Sequence, residues 1–191
     1  EQISIRQIAK EVGISHGNLC YYYPNTLSLA EALYFELVTK MDEAFQKILD
    51  PQSPFDLILE SSNASFQLLY EYKFLMLNFT AIMQQIPGVK AHYQVLFKTR
   101  RVQFKQTYAH FQQMGLFKEN IPDVLFENLI TINFIVGDFW IAHAEILYEG
   151  KRDEMIDYYL FNTVNLVWPY LTTKGMEQYR QHPFFSKYLK F

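Results

Sequence analysis

The sequence contains a single cysteine, few turn-forming residues and little charge. Cys20 alone excludes an internal disulfide and any zinc site built on a cysteine pair, which fits a reducing cytoplasm. Seven glycines and seven prolines in 191 residues leave long segments free for helices. We find no signal peptide and no apolar run of about 18 residues, so we expect a cytoplasmic protein with no membrane partner.

The sequence has no excess of basic residues. Lysine and arginine total 17 against 20 acidic residues, giving a net charge of −3, whereas nucleic-acid-binding regions are usually basic. Arg6 and Lys10 are the only basic residues before residue 30. Because the sequence begins at Glu1 rather than Met, we expect an upstream segment, and a basic arm there would partly explain this weak charge.

Signatures of common enzyme classes are also missing from the sequence. It contains no phosphate-binding loop, no nucleophile elbow and no set of His, Asp and Glu at metal-ligand spacing. His16, in particular, has no partner at ligand spacing. We therefore expect no enzymatic activity, no cofactor and no bound metal.

Apolar and aromatic residues, by contrast, are abundant. Hydrophobic residues make up 50% and aromatic residues 17% of the chain, including 17 Phe and 14 Tyr, so the protein can bury a sizeable core. The aromatic residues fit either a Phe-filled core or a roomy apolar cavity. Composition alone favours the core, because a protein has few ligand pockets.

Helical periodicity predicts an all-α fold. Ser4 and Gln7 form a capping box for a short first helix, Gly13 suits its left-handed end, and Ser15 caps a second helix that runs to Tyr22. No segment alternates apolar and polar residues for long enough to predict a sheet. Longer helices fit residues 26–49, 54–71, 73–85, 88–114, 122–148, 153–171 and 173–181.

The helices divide into a small N-terminal head, residues 1–45, and a larger body, residues 46–191. No Gly- or Ser-rich linker separates them. We therefore expect the long helix that begins at Thr26 to join head and body rigidly.

The first two helices have the pattern of a helix-turn-helix. Ala9 is small where the helices cross, Gly13 lies in the turn, and Ile14 and Leu19 lock the second helix. As a bare pattern this also fits an ordinary corner between two helices.

A longer run of residues resembles the DNA-binding head of the TetR family of bacterial repressors. The family pattern is roughly I-A-x-x-x-G-[VI]-S-x-G-x-[LI]-Y-x-[YH]-F-x-x-K-x-x-L. The chain matches it at Ile8, Ala9, Gly13, Ile14, Ser15, Gly17, Leu19, Tyr22 and Leu29, with Tyr23 in place of Phe. Cys20 replaces the usual Tyr, and Thr26 replaces a Lys that contacts phosphate. The helix that normally precedes Ser4 is not in the sequence.

The resemblance implies a DNA-binding surface on the head. His16, Gly17 and Asn18 would reach base edges, and Asn18 can read adenine through two hydrogen bonds. The residues that would hold phosphates are Ser4, Ser15, Tyr21, Tyr22 and Thr26. The tyrosines can instead pack within the head, which is the interpretation we favour for Tyr23.

The resemblance also implies that the body binds a small-molecule effector. The candidate ligand-binding residues are Phe66, Tyr70, Phe74, Met83, Tyr93, Phe97, Arg100, Phe104, Tyr108, Asn133, Phe134, Asp138 and His143. An unpaired buried carboxylate is costly, so we expect Asp138 to pair with Arg, with His or across a dimer interface. Pocket, interface and satisfied core all remain open for the polar residues of this segment. The basic residues Lys98, Arg100, Arg101 and Lys105 are best explained as a solvated helix face.

Helices 122–148 and 153–171 would form a four-helix bundle with a second copy, as in the family. The alternative is that the second of these is a central helix of one monomer. The resemblance thus implies a homodimeric repressor of a near-palindromic site in double-stranded DNA, released by a small apolar or aromatic ligand. The other hypothesis is an all-α binder of apolar ligands whose head has lost DNA binding.

Overall fold

The computed structural model describes residues 4–48 and 53–189, and these residues form helices and no strands. Two short 3-10 helices, Arg152–Glu154 and Asn165–Tyr170, lie on either side of the α-helix Met155–Val164. The α-helices are α1 Ile5–Glu11, α2 His16–Tyr22, α3 Thr26–Gln46, α4 Pro54–Glu71, α5 Lys73–Leu77, α6 Phe79–Gln85, α7 Pro87–Gln113, α8 Asp123–Leu147, α9 Met155–Val164, α10 Thr173–Gln181 and α11 Pro183–Ser186.

Three predicted helices differ from the structure. The helix expected to reach Leu49 ends at Gln46, and Leu49 itself lies outside the described residues. The helix expected over 73–85 is broken at Asn78, whose side chain donates to the carbonyl of Phe74 over 2.8 Å and so competes with the helical backbone. These are corrections of length and continuity within correctly placed helical segments.

The helix expected over 153–171 is also not continuous. It begins and ends as 3-10 turns, and only Met155–Val164 is α-helical. Pro169 lies in the second 3-10 segment, and proline lacks the N–H that would continue an α-helix. The structure adds the short helix α11, which periodicity did not predict.

The core lies where α4 packs between α3 and α9, with α8 packed against α5 and α9. Phe55, at the start of α4, meets the rings of Tyr179 and Phe185 from the two C-terminal helices. Tyr179 and Phe185 stack with their centroids 3.6 Å apart and are fully buried. Nε2 of His182 lies 2.8 Å from Oδ1 of Asp56, so a polar contact also joins the start of α4 to the C-terminal helices.

A short antiparallel pairing attaches the loop after α7 to the segment before α10. The N–H of Lys118 donates to Tyr170, and the N–H of Thr172 donates to Leu116, each over 2.9 Å. A Cβ on Gly175 would lie 2.3 Å from the carbonyl oxygen of Leu116. Only glycine therefore fits at this close approach.

Among the described residues, α8 is the one helix long and apolar enough to cross a membrane by length and composition alone, with a mean hydropathy of 1.5. One such helix is weak evidence for a membrane, because core helices of soluble proteins meet the same criteria. One side of α8 packs into the core through Leu129, Ile130, Trp140, Ile141 and Ala144. The opposite side is exposed.

Candidate functional site

The head is a compact helix-turn-helix. The backbone of Gly13 has φ of +74°, the left-handed conformation that lets the chain reverse between α1 and α2. Ser4 and Gln7 form the predicted capping box, and the hydroxyl of Ser15 accepts the N–H of Asn18 over 3.1 Å. The helices meet through Ala9 and Leu19, both buried.

Helix α2 presents most of the predicted DNA-binding side chains to solvent. Tyr21 is 81% exposed and Tyr22 is 67% exposed, with their rings in edge contact. Within the described part of the chain, the side chain of Asn18 has no hydrogen-bond partner. The predicted residues Ser4, Ser15, His16, Gly17, Asn18, Tyr21 and Tyr22 are all exposed, and Thr26 is half-buried.

Cys20, which replaces the tyrosine of the family pattern, contacts a predicted base-reading residue. Its Sγ lies 3.2 Å from Nε2 of His16, one turn earlier on α2. This contact holds the imidazole against α2. The hydroxyls of Ser4 and Ser15 are likewise already engaged in helix caps.

The body contains a cavity of about 510 Å³ enclosed mainly by α3, α4, α6, α7 and α8. This volume lies within the range of small-molecule sites, about 300–1,000 Å³. The structure brings nine of the thirteen predicted ligand-binding residues to its wall: Phe66, Met83, Tyr93, Arg100, Phe104, Tyr108, Asn133, Phe134 and Asp138.

The other four predicted residues do not line the cavity. The hydroxyl of Tyr70 accepts from Nε of Arg152 over 3.0 Å, and Phe74 is exposed. Phe97 packs against the ring of Phe134 from outside the cavity wall. Nδ1 of His143 lies 2.7 Å from the hydroxyl of Tyr159.

Asp138 is the acidic group of the cavity wall. The hydroxyl of Tyr93 donates to its Oδ2 over 2.5 Å. We expected Asp138 to pair with Arg, with His or with a second subunit, but its partner is this tyrosine of α7. Burial raises the pKa of Asp138 to about 6, and the Tyr93 hydrogen bond opposes this rise only in part. The same burial, together with the charge of Asp138, raises the pKa of Tyr93.

The basic run of α7 is divided between the cavity and the surface. Arg100 lines the cavity, forms an ion pair with Asp42 of α3, and lies over the ring of Phe45 at 4.8 Å. Arg101 and Lys105 form ion pairs with Glu127 of α8, which hold the pKa of that carboxyl near 2. The expectation of a wholly solvated face was therefore wrong for Arg100.

Helix α3 forms a wall of the cavity that was not predicted from the sequence. Its lining residues are Tyr34, Leu37, Val38, Met41 and Phe45. The hydroxyl of Tyr34 lies 3.0 Å from Nδ1 of His92 on α7, and burial and the charge of Asp138 raise the Tyr34 pKa to about 12. The sequence contained a signal for this wall, because Leu37, Met41 and Phe45 recur every four residues and so lie on one apolar face of the helix.

Three serines of α4 also line the cavity: Ser61, Ser62 and Ser65. The hydroxyls of Ser61 and Ser65 donate to backbone carbonyls four residues earlier, at 2.6 and 2.9 Å. These serines were not predicted to line a cavity, although small polar residues within an otherwise apolar helix could have indicated it. Their small side chains leave space that larger side chains would fill.

Comparisons with known proteins give the family. Residues 36–179 match the TetR model, described as bacterial transcriptional repressor. The fold is similar to the crystal structure of a TetR-family transcriptional regulator from Marinobacter aquaeolei VT8, with a TM-score of 0.78 and 18% identity over 93% of this chain and 85% of that one. No curated protein matches the sequence. The family model extends over most of the body and the head has the helix-turn-helix geometry, so this chain belongs to the TetR family of DNA-binding transcriptional regulators.

Proposed function

We propose that this protein is a homodimeric repressor whose hold on DNA is released by a small apolar or aromatic ligand. One observation carries the proposal: α3 is a single helix that begins beside the DNA-binding head and forms a wall of the cavity. A ligand that contacts Tyr34 or Met41 would therefore act on the helix that follows α2 directly in the chain. The protein would act in the cytoplasm and without catalysis.

The exposed surface of α2 supports the DNA-binding role. Two heads related by a twofold axis would place their α2 helices in successive major grooves of a near-palindromic site, about 34 Å apart. Asn18, His16 and the backbone at Gly17 would meet base edges. Ser4, Ser15, Tyr21, Tyr22 and Thr26 would contact phosphates and set the register.

The exposed side of α8 supports dimerisation. Its large apolar residues recur at the helical spacing of an interface: Leu125, Ile132, Ile135, Phe139 and Ile146. Tyr158 of α9 is also 46% exposed. A stripe of this length on a monomer marks an interaction surface, and an isologous contact between two copies would bury it. α9 buries Met155, Tyr159, Leu160, Thr163 and Val164 in its own subunit, so only its exposed face would contribute to this interface.

Ligand response would follow from differential affinity. If the ligand binds more tightly to the conformation whose heads no longer match the operator spacing, about 1–3 kcal/mol of coupling is enough for useful release. The Arg100–Asp42 ion pair and the Tyr34–His92 hydrogen bond connect α3 to α7 across the cavity rim. These are the contacts that such a shift would rearrange.

The first test is binding of the full-length protein to DNA from upstream of its own gene, at several salt concentrations. We expect specific binding well above that of a random duplex. Asn18→Ala should weaken specific binding by about 1–3 kcal/mol and leave non-specific binding nearly unchanged. Arg6→Ala is the matched comparison, because loss of a cation should weaken both kinds of binding alike. Equal losses on both DNAs for Asn18→Ala would contradict its base-reading role.

The weak charge of the head favours a second candidate. In the described residues of α1 and α2, Arg6 and Lys10 are the only lysines or arginines. A head without phosphate contacts would leave an apolar-ligand-binding protein that does not regulate transcription. No preference for the upstream DNA at low salt, with any N-terminal arm present, would support this candidate over the repressor.

A further inference from the structure

The cavity wall carries one negative charge that no basic side chain balances. The hydroxyl of Tyr93 donates to Oδ2 of Asp138 over 2.5 Å. Within the described part of the chain, no Lys, Arg or His nitrogen lies within 4.0 Å of this carboxylate. Because a carboxylate has about four acceptor positions and Tyr93 occupies one of them, Asp138 can accept a further partner from the cavity side.

Aromatic rings surround this carboxylate. The ring of Phe79 meets the ring of Tyr93 edge-on, with centroids 5.1 Å apart. Phe134 lies one turn before Asp138 on α8 and lines the same cavity. Aromatic faces attract cations and repel anions through their quadrupoles. Carboxylate and rings together favour a positive charge at this end of the cavity.

The cavity offers no comparable site for an anion. Among the residues that the structure describes, Arg100 is the one basic residue that lines the cavity, and it lies two turns from Tyr93 along α7, which is about 10 Å. The guanidinium already forms an ion pair with Asp42 and lies over the ring of Phe45. An anionic ligand would compete with Asp42 for this guanidinium, and it would also meet the charge of Asp138.

We propose that the cavity binds a hydrophobic organic cation, such as a quaternary ammonium, a phosphonium or a protonated amine. The charge lies beside Asp138, between Phe79, Tyr93 and Phe134. The apolar body extends between Leu37 and Met83 in a cavity whose volume suits a drug-sized molecule. This inference rests on the proposed function, in which the cation is the releasing ligand.

The test uses two probes of the same shape and opposite charge, tetraphenylphosphonium and tetraphenylborate. Their binding to the full-length protein is measured by calorimetry. We expect the phosphonium to bind at least about 10-fold more tightly than the borate, and Asp138→Asn to remove at least about 10-fold of its affinity. Glu119→Gln removes one exposed carboxylate from the loop after α7 and should change neither value. Equal binding of the phosphonium to wild type and Asp138→Asn would overturn the proposal, as would tighter binding of the borate.

A pH series on the wild-type protein tests the role of Asp138 without depending on how well the variant folds. Four other titratable or charged groups belong to this region: Tyr93 contacts Asp138, the hydroxyl of Tyr34 lies 3.0 Å from Nδ1 of His92, and Arg100 lines the same cavity two turns from Tyr93. The charge of the phosphonium does not titrate, so its affinity for wild type should rise between about pH 5 and pH 7 as Asp138 ionises. In Asp138→Asn, which keeps the other four groups, the affinity should stay flat. The same pH dependence in both proteins would assign the effect elsewhere and contradict the proposal.

DNA release separates this inference from the proposed function. If the phosphonium binds in an Asp138-dependent manner but leaves operator affinity unchanged, the cavity assignment stands and the releasing role is wrong. If the protein binds its operator and the phosphonium does not bind the protein, the repressor stands and the cation assignment is overturned.

Discussion

Head and body of this regulator differ in how much of each helix is buried. The fourteen residues of α1 and α2 bury only Ala9 and Leu19. Five of the ten residues of α9 are buried, and Thr163 is one of the five. The head thus leaves nearly all its polar side chains to solvent, where DNA can reach them. The body buries Thr163 and holds Asp138 in the cavity wall, where burial raises the pKa of that carboxyl.

The proposed DNA-binding and ligand-binding surfaces therefore depend on different physical terms. Base reading by α2 would need side chains that are free of internal partners, and the amide of Asn18 is free in this way. Ligand binding in the cavity would need a polar group whose partners are incomplete, and Asp138 is such a group, with a pKa that burial raises. Four changes would break or sharpen this contrast.

The largest effect should come from a charge on the exposed stripe of α8. Ile135→Asp places a carboxylate at the centre of the proposed interface, so the dimer should dissociate at micromolar concentration. Because two linked heads bind far more tightly than one, operator affinity should fall by at least about 100-fold. Sedimentation velocity and DNA titration check both results. Val102→Asp, on an exposed position of α7, is the matched control and should remain dimeric; a dimeric Ile135→Asp would refute this interface.

Truncation of Leu19 should have the next largest effect, confined to the head. A buried Leu→Ala change costs about 2–5 kcal/mol, and α1 and α2 have one other buried residue to hold them. We expect fast amide exchange throughout α1 and α2, loss of specific DNA binding, and little change in the melting of the body. Val12→Ala removes apolar atoms from a side chain that is 61% exposed and should leave exchange unchanged. Protection of α2 in Leu19→Ala would show that α3 alone holds the head.

Asp138 should make stability depend on pH in the direction opposite to most carboxylates. Its pKa is about 6 in the folded protein against an ordinary value of 3.8, so the folded state binds the proton more tightly. The contribution of Asp138 to stability should therefore fall as pH rises from about 4 to about 6, by up to about 3 kcal/mol. Asp138→Asn should abolish that fall in urea denaturation measured across this range. A wild-type stability that rises over this range with Asp138→Asn unchanged in slope would contradict the burial of this group.

Asp56 provides the smaller effect, of the opposite sign. The His182 hydrogen bond, first among its causes, lowers the Asp56 pKa in the folded protein. This contact stabilises the fold above the ordinary pKa of aspartate and is lost as pH falls through the lowered value. We expect Asp56→Asn to cost about 1 kcal/mol at pH 6 and less at pH 3, since the pair is partly exposed. An equal loss of stability at pH 6 and at pH 3 would show that the substitution acts through packing and not through charge.

Much of the head could be predicted from its sequence. The caps at Ser4 and Ser15, the left-handed Gly13 and the buried Leu19 were all expected, and the structure confirms each of them. These features depend on residues within a few positions of one another, and local chemistry suffices to place them. The DNA-binding roles assigned to the exposed residues remain predictions.

The body could be predicted only in part. Apolar periodicity placed most helices, but it missed the break at Asn78 and the 3-10 segment that contains Pro169. It also could not separate the lining residue Phe134 from its neighbour Phe97, because both lie on apolar helix faces. Whether a ring faces a cavity or another ring depends on helices distant in sequence.

Composition, periodicity and the head motif were enough to establish an all-α protein with a helix-turn-helix, because these depend on short-range backbone and capping preferences. The choice of Tyr93 as partner for Asp138, the contribution of α3 to the cavity and the exposed stripe of α8 emerge only when the helices pack. Tyr93 and Asp138 are 45 positions apart in the sequence and form a hydrogen bond. No local sequence pattern determines which apolar helix faces will pack against each other.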